Sequence, residues 1–504
     1  MNHNLFSLLR ARFPEEREAP FISTPEGRSL PYSALDELTA RLAGALRQLG
    51  LARGERLVML IDKSPEAILL YLAVLRLGAI LVPLNTAYTA REFRYFLNDA
   101  QPKVVILRPD LDPEQHEAAQ DTGARTATLD TCNGGSLPKL AMATHPLDTV
   151  EPVNKDDIAA ILYTSGTTGQ PKGAMLTHGN LASNGLALHR IWGFRPGDVL
   201  LHPLPVFHVH GLFVAVHCAM LNGSPMLYLP KFDPALVTDQ LPQATVMMGV
   251  PTFYSRLLEH EAFNRSACEN IRLFISGSAP LLPQTWEAFH RQTGHKILER
   301  YGMSEAGMIA SNPLDGDRLP GTVGFPLPEI KVRVSDRNGK PLPRGETGVL
   351  EVKGPNLFAG YWGKPEMNTT EFRADGFFIS GDLAVMNDNG RITIVGRDRD
   401  LVITGGFNVY PKEVEDCLNQ LPGVKESAVI GVPHPDFGEA LVALIAGEEN
   451  TVPSEQTVIT ALKRNLAGFK VPRRIIRLDA LPKNAMGKVQ KNTLRETYAD
   501  VIKN

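Results

Sequence analysis

An apolar run, Ile158 to Leu162, leads directly into Tyr163-Thr164-Ser165-Gly166-Thr167-Thr168-Gly169-Gln170-Pro171-Lys172-Gly173, and no other stretch restricts the fold as much. These eleven positions hold three glycines, four small hydroxyl residues and one lysine. Glycine lets the backbone approach a ligand closely and adopt positive φ. Successive N–H groups and hydroxyls can then donate to phosphate oxygens, while Lys172 adds a point charge. The run therefore predicts a strand that ends in a phosphate-binding loop. It is not the P-loop of the common NTPases, because G-x-x-x-x-G-K-[ST] is absent and the fifth residue after Gly166 is Pro171.

The remainder of the chain must build a frame for that loop. Its 504 residues exceed what one hydrophobic core supports, so at least two domains are expected. With 43% apolar and 21% charged residues it reads as an ordinary globular protein. A net charge of −3 gives no electrostatic case for nucleic acid or an anionic membrane as partner. Cys132, Cys218, Cys268 and Cys417 form no C-x-x-C pair, which argues against a disulfide framework or a zinc site and fits a reducing cytoplasm. Met1 to Arg12 makes a poor secretory signal. The most apolar stretch, Ala67 to Leu84, is interrupted by Arg76 and Pro83. Ser64 as cap, Pro65 at the first position and Gly78 as stop predict a buried helix there, not a membrane span.

Helix-like and strand-like segments alternate through residues 1–150 and resume after the phosphate loop, which indicates α/β layers with mainly parallel sheet. A single helix is expected over Phe213–Leu221 and another over Pro251–His260. From about Ile330 the texture becomes strands and glycine turns, a smaller β-rich subdomain. Arg397-Asp398-Arg399-Asp400 then separates it from a compact α+β tail, which composition alone reads as a solvated turn.

The phosphate run matches, at every specified position, the [YF]-T-S-G-T-T-G-x-P-K-G signature of the adenylate-forming superfamily, which includes acyl-CoA synthetases, luciferases and peptide-synthetase adenylation domains. Further motifs resemble that family in its own order. They are Gly277-Ser278-Ala279-Pro280, Tyr301-Gly302-Met303-Ser304-Glu305, Ser380-Gly381-Asp382-Leu383, Gly396-Arg397-Asp398-Arg399-Asp400 and Pro482 to Lys488. The resemblance implies a large N-terminal domain over 1–397 that binds ATP and the acyl group, and a hinge at 398–400 pivoting on Arg399. A small mobile C-terminal domain, 401–504, would carry the catalytic lysine.

In such enzymes a carboxylate attacks the α-phosphorus of ATP, so two anions meet and cations and N–H donors are needed where charge builds up. By resemblance Lys488, in a P-x-x-x-x-G-K pattern, bridges substrate carboxylate and α-phosphate, and Glu305 is the catalytic Mg²⁺ ligand with Thr164 beside it. Ser304 stands where the family usually has Thr, with the hydroxyl kept. Thr164, Ser165, Gly166, Thr167, Thr168, Gly169 and Lys172 would cradle phosphates, and Asp382 and Arg397 the ribose. Gly277, Ser278, Ala279, Pro280, Glu299, Arg300, Tyr301, Gly302 and Met303 would lie along the nucleotide, with Tyr301 stacked on the base. Gly405 and Gly406 would border the pantetheine tunnel of CoA. Arg399 stands where Asp or Lys is common. Acetylation of Lys488 by a lysine acetyltransferase would remove its charge and block adenylation.

The acyl pocket identifies the acid. His208 stands where amino-acid activators carry Asp, which argues against an amino-acid substrate. Arg256 lies one helical turn after Thr252. Taken alone, it reads equally as an exposed helix residue or as the bidentate partner of a second substrate carboxylate. With Leu84-Asn85-Thr86-Ala87-Tyr88, Phe207-His208-Val209-His210-Gly211 and Tyr301 to Glu305, it resembles the bacterial malonyl-CoA synthetases, some of which accept methylmalonate. That implies a malonate–CoA ligase with His208, His210, Arg256 and Met303 at the acid. A ligase for another short-chain or aryl carboxylate, and a non-catalytic adenylate-binding protein, are the other readings. The chain ends Ile502-Lys503-Asn504, not in a peroxisomal Ser-Lys-Leu.

Overall fold

A computed structural model describes residues 2–164, 171–404, 407–434, 437–447, 451, 453–484 and 487–502. The helix–strand alternation of the first three hundred residues becomes two sheets that share a layer of helices. One runs, edge to edge, Arg125–Thr128, Val104–Leu107, Arg56–Leu60, Ile80–Pro83, Ile158–Thr164 and Lys172–Thr177. Its first five strands are parallel, and Lys172–Thr177 turns back antiparallel beside Ile158–Thr164. The other has a parallel centre of Pro20–Ser23, Met226–Tyr228, Leu200–His202, Val246–Gly249, Leu273–Ser276 and Leu298–Met303. Antiparallel strands close its two edges.

Alternation along each strand dictates the layering. Leu57 and Met59 face the shared helices, while Val58 and Leu60 face the outer helices Ala90–Ala100 and Pro113–Asp121. In the second sheet Val246, Met248, Leu273 and Ile275 point to the shared layer, and Met247 and Phe274 to the opposite side. The helix Pro65–Arg76 lies in the shared layer with every residue buried. Ser64 caps it by accepting from the Ala67 N–H at 3.2 Å. Arg76 tolerates 1% exposure because its guanidinium donates to the Leu147 and Asp148 carbonyls, each at 2.9 Å, and pairs with Asp36.

Two expectations need correction. The helix expected over Phe213–Leu221 starts at His210, opening as a π-helical turn, His210–Ala215, before the α-helix Val216–Asn222. The helix expected over Pro251–His260 stops at Leu258.

Downstream, Lys331–Ser335, Thr347–Lys353, Phe378–Met386 and Ile392–Arg397 form an antiparallel sheet. After the 3₁₀ turn Asp398–Asp400 comes a five-stranded sheet with its own core, packed between the helices Pro411–Leu418 and Glu455–Asn465 on one face and Lys491–Thr497 on the other. Asp398 pairs with Arg337 at 3.1 Å on the upstream side, and Asp400 pairs with Arg495 on the downstream side. Among the described residues no helix is long and apolar enough to cross a membrane.

Leu70→Ala empties a fully buried position in the shared layer. It is expected to cost about 2–5 kcal/mol, seen as a lowered urea midpoint. Leu319→Ala, at a 46% exposed site, should stay within about 0.5 kcal/mol.

Candidate active site

The C-terminal ends of the parallel strands open onto one cleft, where open α/β sheets collect ligands. Thr164 ends a strand of the first sheet, and Glu305 lies in the turn that follows Leu298–Met303 of the second. The Thr164 hydroxyl donates to Glu305 Oε1 at 3.3 Å, so the two residues expected at a metal meet across the seam. The Tyr361 hydroxyl approaches the same oxygen at 3.1 Å and Glu371 Oε2 at 2.9 Å. One hydroxyl proton is thus shared by two carboxylates, and burial pushes the Glu305 carboxyl above its ordinary range. Lys172 offsets one of these charges, its ammonium 2.9 Å from Glu371 Oε1 and 5.0 Å from the Tyr361 ring centroid. A hard divalent cation completed by phosphate oxygens fits the charge that remains on Glu305. Ser165, Gly166, Thr167, Thr168, Gly169, Gly405 and Gly406 lie outside the described residues. Sequence reasoning missed Tyr361 and Glu371, which sit in no recognisable spacing and meet Lys172 only through the fold.

Asp382 and Arg397 face each other on neighbouring strands, with Arg397 Nε 2.7 Å from Asp382 Oδ1. Tyr301 donates its hydroxyl to the other oxygen of Asp382. The carboxylate keeps unused lone pairs for a diol, held in place by both neighbours.

Gly277 to Pro280 follow the strand Leu273–Ser276, and Ser278 adopts φ +74°, a strained conformation for a residue with a side chain. A Cβ on Gly277 would sit 2.4 Å from Arg300 Cζ, so only glycine lets that guanidinium pack beneath the segment. Glu299 and Arg300 are both buried. Glu299 Oε1 accepts from the Leu281 N–H at 3.1 Å, while Oε2 has no partner. Burial pushes its carboxyl up to about 7. Burial also pulls the Arg300 guanidinium down to about 9, and its Nε and Nη2 are unsatisfied.

The two histidines expected on the acyl side lie near Arg300. His208 is pulled down to about 4 by burial, then by the charges of Arg300 and Lys488. His210 lies well below its ordinary value for the same first two reasons, with Nδ1 3.3 Å from Ser278 Oγ. Both rings are therefore neutral near pH 7. Arg256 is exposed near the end of the helix Pro251–Leu258. Among the described residues, no carboxylate lies within ion-pairing distance of Arg256 or Arg300. Met303 is half-buried at its strand end, next to Gly302, where a Cβ would meet the Gly307 carbonyl oxygen at 2.2 Å. Ser304 lies in the turn leading to Glu305.

Lys488 reaches this cleft from the C-terminal domain. Gly487, at φ +72°, rests against Thr252: a Cβ there would lie 2.8 Å from Thr252 Oγ1. The Lys488 side chain remains accessible. Its ammonium is nevertheless pushed down to about 8, first by lost hydration and then by Arg397 and Arg399, with Asp382 and Asp400 opposing. Arg399 itself is lowered, mainly by burial.

The model of the AMP-binding enzyme family matches residues 9–362, and that of the AMP-binding enzyme C-terminal domain matches residues 413–488. The chain is 49% identical to MatB from Rhodopseudomonas palustris, whose ATP-bound crystal structure superposes with a TM-score of 0.97 over 99% of this chain and 100% of that one. The apo structure of the same protein, with the same coverage, gives 0.85. The arrangement here is thus closer to the ATP-bound one. The mitochondrial malonate–CoA ligase ACSF3 of Mus musculus is 36% identical over 457 residues, 83% of this chain and 77% of that protein.

Glu299 gives this site a pH signature. Its carboxyl is raised in the folded state, so the folded protein holds a proton that the unfolded chain releases. The stability this provides is complete below about 4.5 and lost as pH rises toward about 7. Glu299→Gln cannot ionise, so its melting temperature relative to the parent should rise between pH 5 and pH 8. A difference that stays constant across that range would show Glu299 ionised throughout.

Proposed function

The chain belongs to the AMP-binding enzyme family, and on that premise we infer that it is an ATP- and Mg²⁺-dependent acid–thiol ligase that makes malonyl-CoA from malonate and CoA. The reaction passes through malonyl-adenylate and releases AMP and pyrophosphate. One observation carries the choice of acid. The acyl end of the cleft holds the buried Arg300 guanidinium, with no carboxylate to pair it among the described residues, beside neutral His208 and His210. Leaving such charge unpaired is costly, and a second carboxylate on the substrate relieves it. A fatty or aryl acid would not. The similarity to MatB and to ACSF3 points the same way.

Lys488 supplies positive charge between the substrate carboxylate and the α-phosphate as they approach. Glu305, oriented by Thr164 and Tyr361, would hold magnesium, which supplies neutralisation of the triphosphate. Asp382 and Arg397 hold the ribose, and Tyr301, bonded to Asp382, lies along the base. In the second half-reaction the C-terminal domain turns about Arg399, withdrawing Lys488 and presenting Gly405 and Gly406 to CoA. The free-thiol pattern of the four cysteines supports a cytoplasmic site. Lys488, accessible and with a lowered pKa, is also a chemically suitable target for a lysine acetyltransferase.

ATP–pyrophosphate exchange with malonate, methylmalonate, succinate, acetate, benzoate and octanoate tests the assignment. Malonate should lead, and equal or better exchange with acetate or octanoate would overturn it. Arg256→Ala should lose most malonate activity through kcat/KM while ATP binding is kept, because sites built for a polar group reject analogues lacking it by about 10⁴-fold. A variant that still prefers malonate by the parent ratio would place selectivity elsewhere.

Lys488→Ala should abolish adenylation by about 10²–10³-fold or more yet spare thioester formation from supplied malonyl-adenylate. Equal loss in both half-reactions would refute that role. In the parent only the ammonium form is active, so kcat/KM for adenylation should fall as pH rises through about 8.

A further inference from the structure

Lys63 and His202 belong to different sheets and have no part in the chemistry above. Lys63 follows the strand Arg56–Leu60, and His202 ends the strand Leu200–His202. The Lys63 ammonium lies 2.7 Å from the His202 carbonyl oxygen, 3.0 Å from His202 Nδ1 and 4.3 Å from the Tyr228 ring centroid. Among the described residues it pairs with no carboxylate. A lysine in such a place is unusual unless its donors are needed.

The far side of the imidazole shows the need. His202 Nε2 is 2.9 Å from the Gly211 carbonyl oxygen, which can only accept. Nε2 therefore carries the proton, and Nδ1 offers a lone pair to Lys63. Burial, reinforced by the Lys63 charge, holds the ring neutral, with its pKa down to about 3. One tautomer is thus locked from both ends.

Gly211 O has a second donor, the Val216 N–H, whose five-residue reach is the bond that makes His210–Ala215 a π-helical turn. Such turns are costly against α-helix and recur at functional sites. Here the extra bond from His202 supports the carbonyl the turn depends on. Position 211 also has to be glycine, since a Cβ would lie 1.9 Å from the Pro205 carbonyl oxygen. The turn carries His210 against Ser278, and the His210 N–H reaches His208 Nδ1 at 3.3 Å. If the turn relaxed to α-helix, the residues that open it would rotate relative to the strand ends facing them.

We propose that Lys63 and His202 are positioning residues for acid selectivity: the Lys63–His202–Gly211 relay keeps the π-turn in place and so keeps His208 and His210 at the acyl pocket. The inference rests on the reading of that pocket as the acid site. A purely structural role, stitching two sheets, would lower stability without changing which acid is chosen.

Lys63→Met keeps the stem and removes the donors. His202→Leu removes both ring nitrogens, and His202→Gln keeps a donor for Gly211 O. Each is assayed by ATP–pyrophosphate exchange with malonate and acetate, and by KM for ATP. Lys63→Met and His202→Leu are expected to raise malonate KM and to reduce the malonate-over-acetate ratio of kcat/KM by about ten- to a hundredfold. KM for ATP should stay within about twofold, since the relay touches no nucleotide group, and His202→Gln should recover much of the ratio. An unchanged ratio in Lys63→Met, whatever its melting temperature, overturns the proposal even if His202→Leu fails to fold. A parent enzyme without malonate preference instead defeats the functional reading. The relay is then judged on the ratio between that enzyme's preferred acid and its next best.

Discussion

Everything at the cleft depends on two parallel sheets sharing one helical layer. Because both bury an alternate-residue face against the same helices, their strand ends finish side by side, and Thr164 of one can donate to Glu305 of the other at 3.3 Å. Parallel strands all end with the same polarity, so each contributes a loop to that edge. A helix buried on every side, Pro65–Arg76, fixes the spacing. Both of its charges are neutralised, Arg76 by Asp36 and two carbonyls and Glu66 by Arg28, and so do not open the core to water.

The cleft distributes charge unevenly. At Glu305 and Glu371 two carboxylates share one tyrosine proton and one lysine, leaving negative charge for a cation. Around His208 and His210 the buried Arg300 guanidinium and two neutral imidazoles leave positive charge for an anion. Neither imbalance stabilises the empty protein. Both are reduced when ligands arrive, which is how a site reserves its interaction energy for binding and reaction rather than for folding.

The residues in contiguous motifs were legible because short spacing fixes their chemistry. The run Tyr163–Gly173 and the lysine after Gly487 each sit in one short motif, and Asp382 and Arg397 in two motifs fifteen positions apart. Ser64-Pro65 announced the central helix for the same reason, since capping is local. Partners distant in sequence were not legible. Glu371 meets Lys172 across 199 positions, and Lys63 meets His202 across 139. The π-turn escaped because the run Phe213–Leu221 reads as an ordinary apolar helix. Only the carbonyl shared by Val216 and His202 makes it otherwise. Arg300 sits within a legible motif, yet nothing local says that it packs beneath Gly277.

The anchoring of Asp398 and Asp400 has a mechanical meaning. Asp398 is tied to Arg337 upstream and Asp400 to Arg495 downstream, so each ion pair lies wholly within one of the two bodies. A turn of the backbone at Arg399, as proposed above, would rotate those bodies without stretching either pair. Contacts that cross between them include the Gln284 amide on the Asn419 carbonyl, the exposed Lys425–Glu259 pair at 3.8 Å and Gly487 against Thr252. As the proposed pivot, the joint would act as a bearing clamped at both ends, with the turn left to the single residue between the clamps.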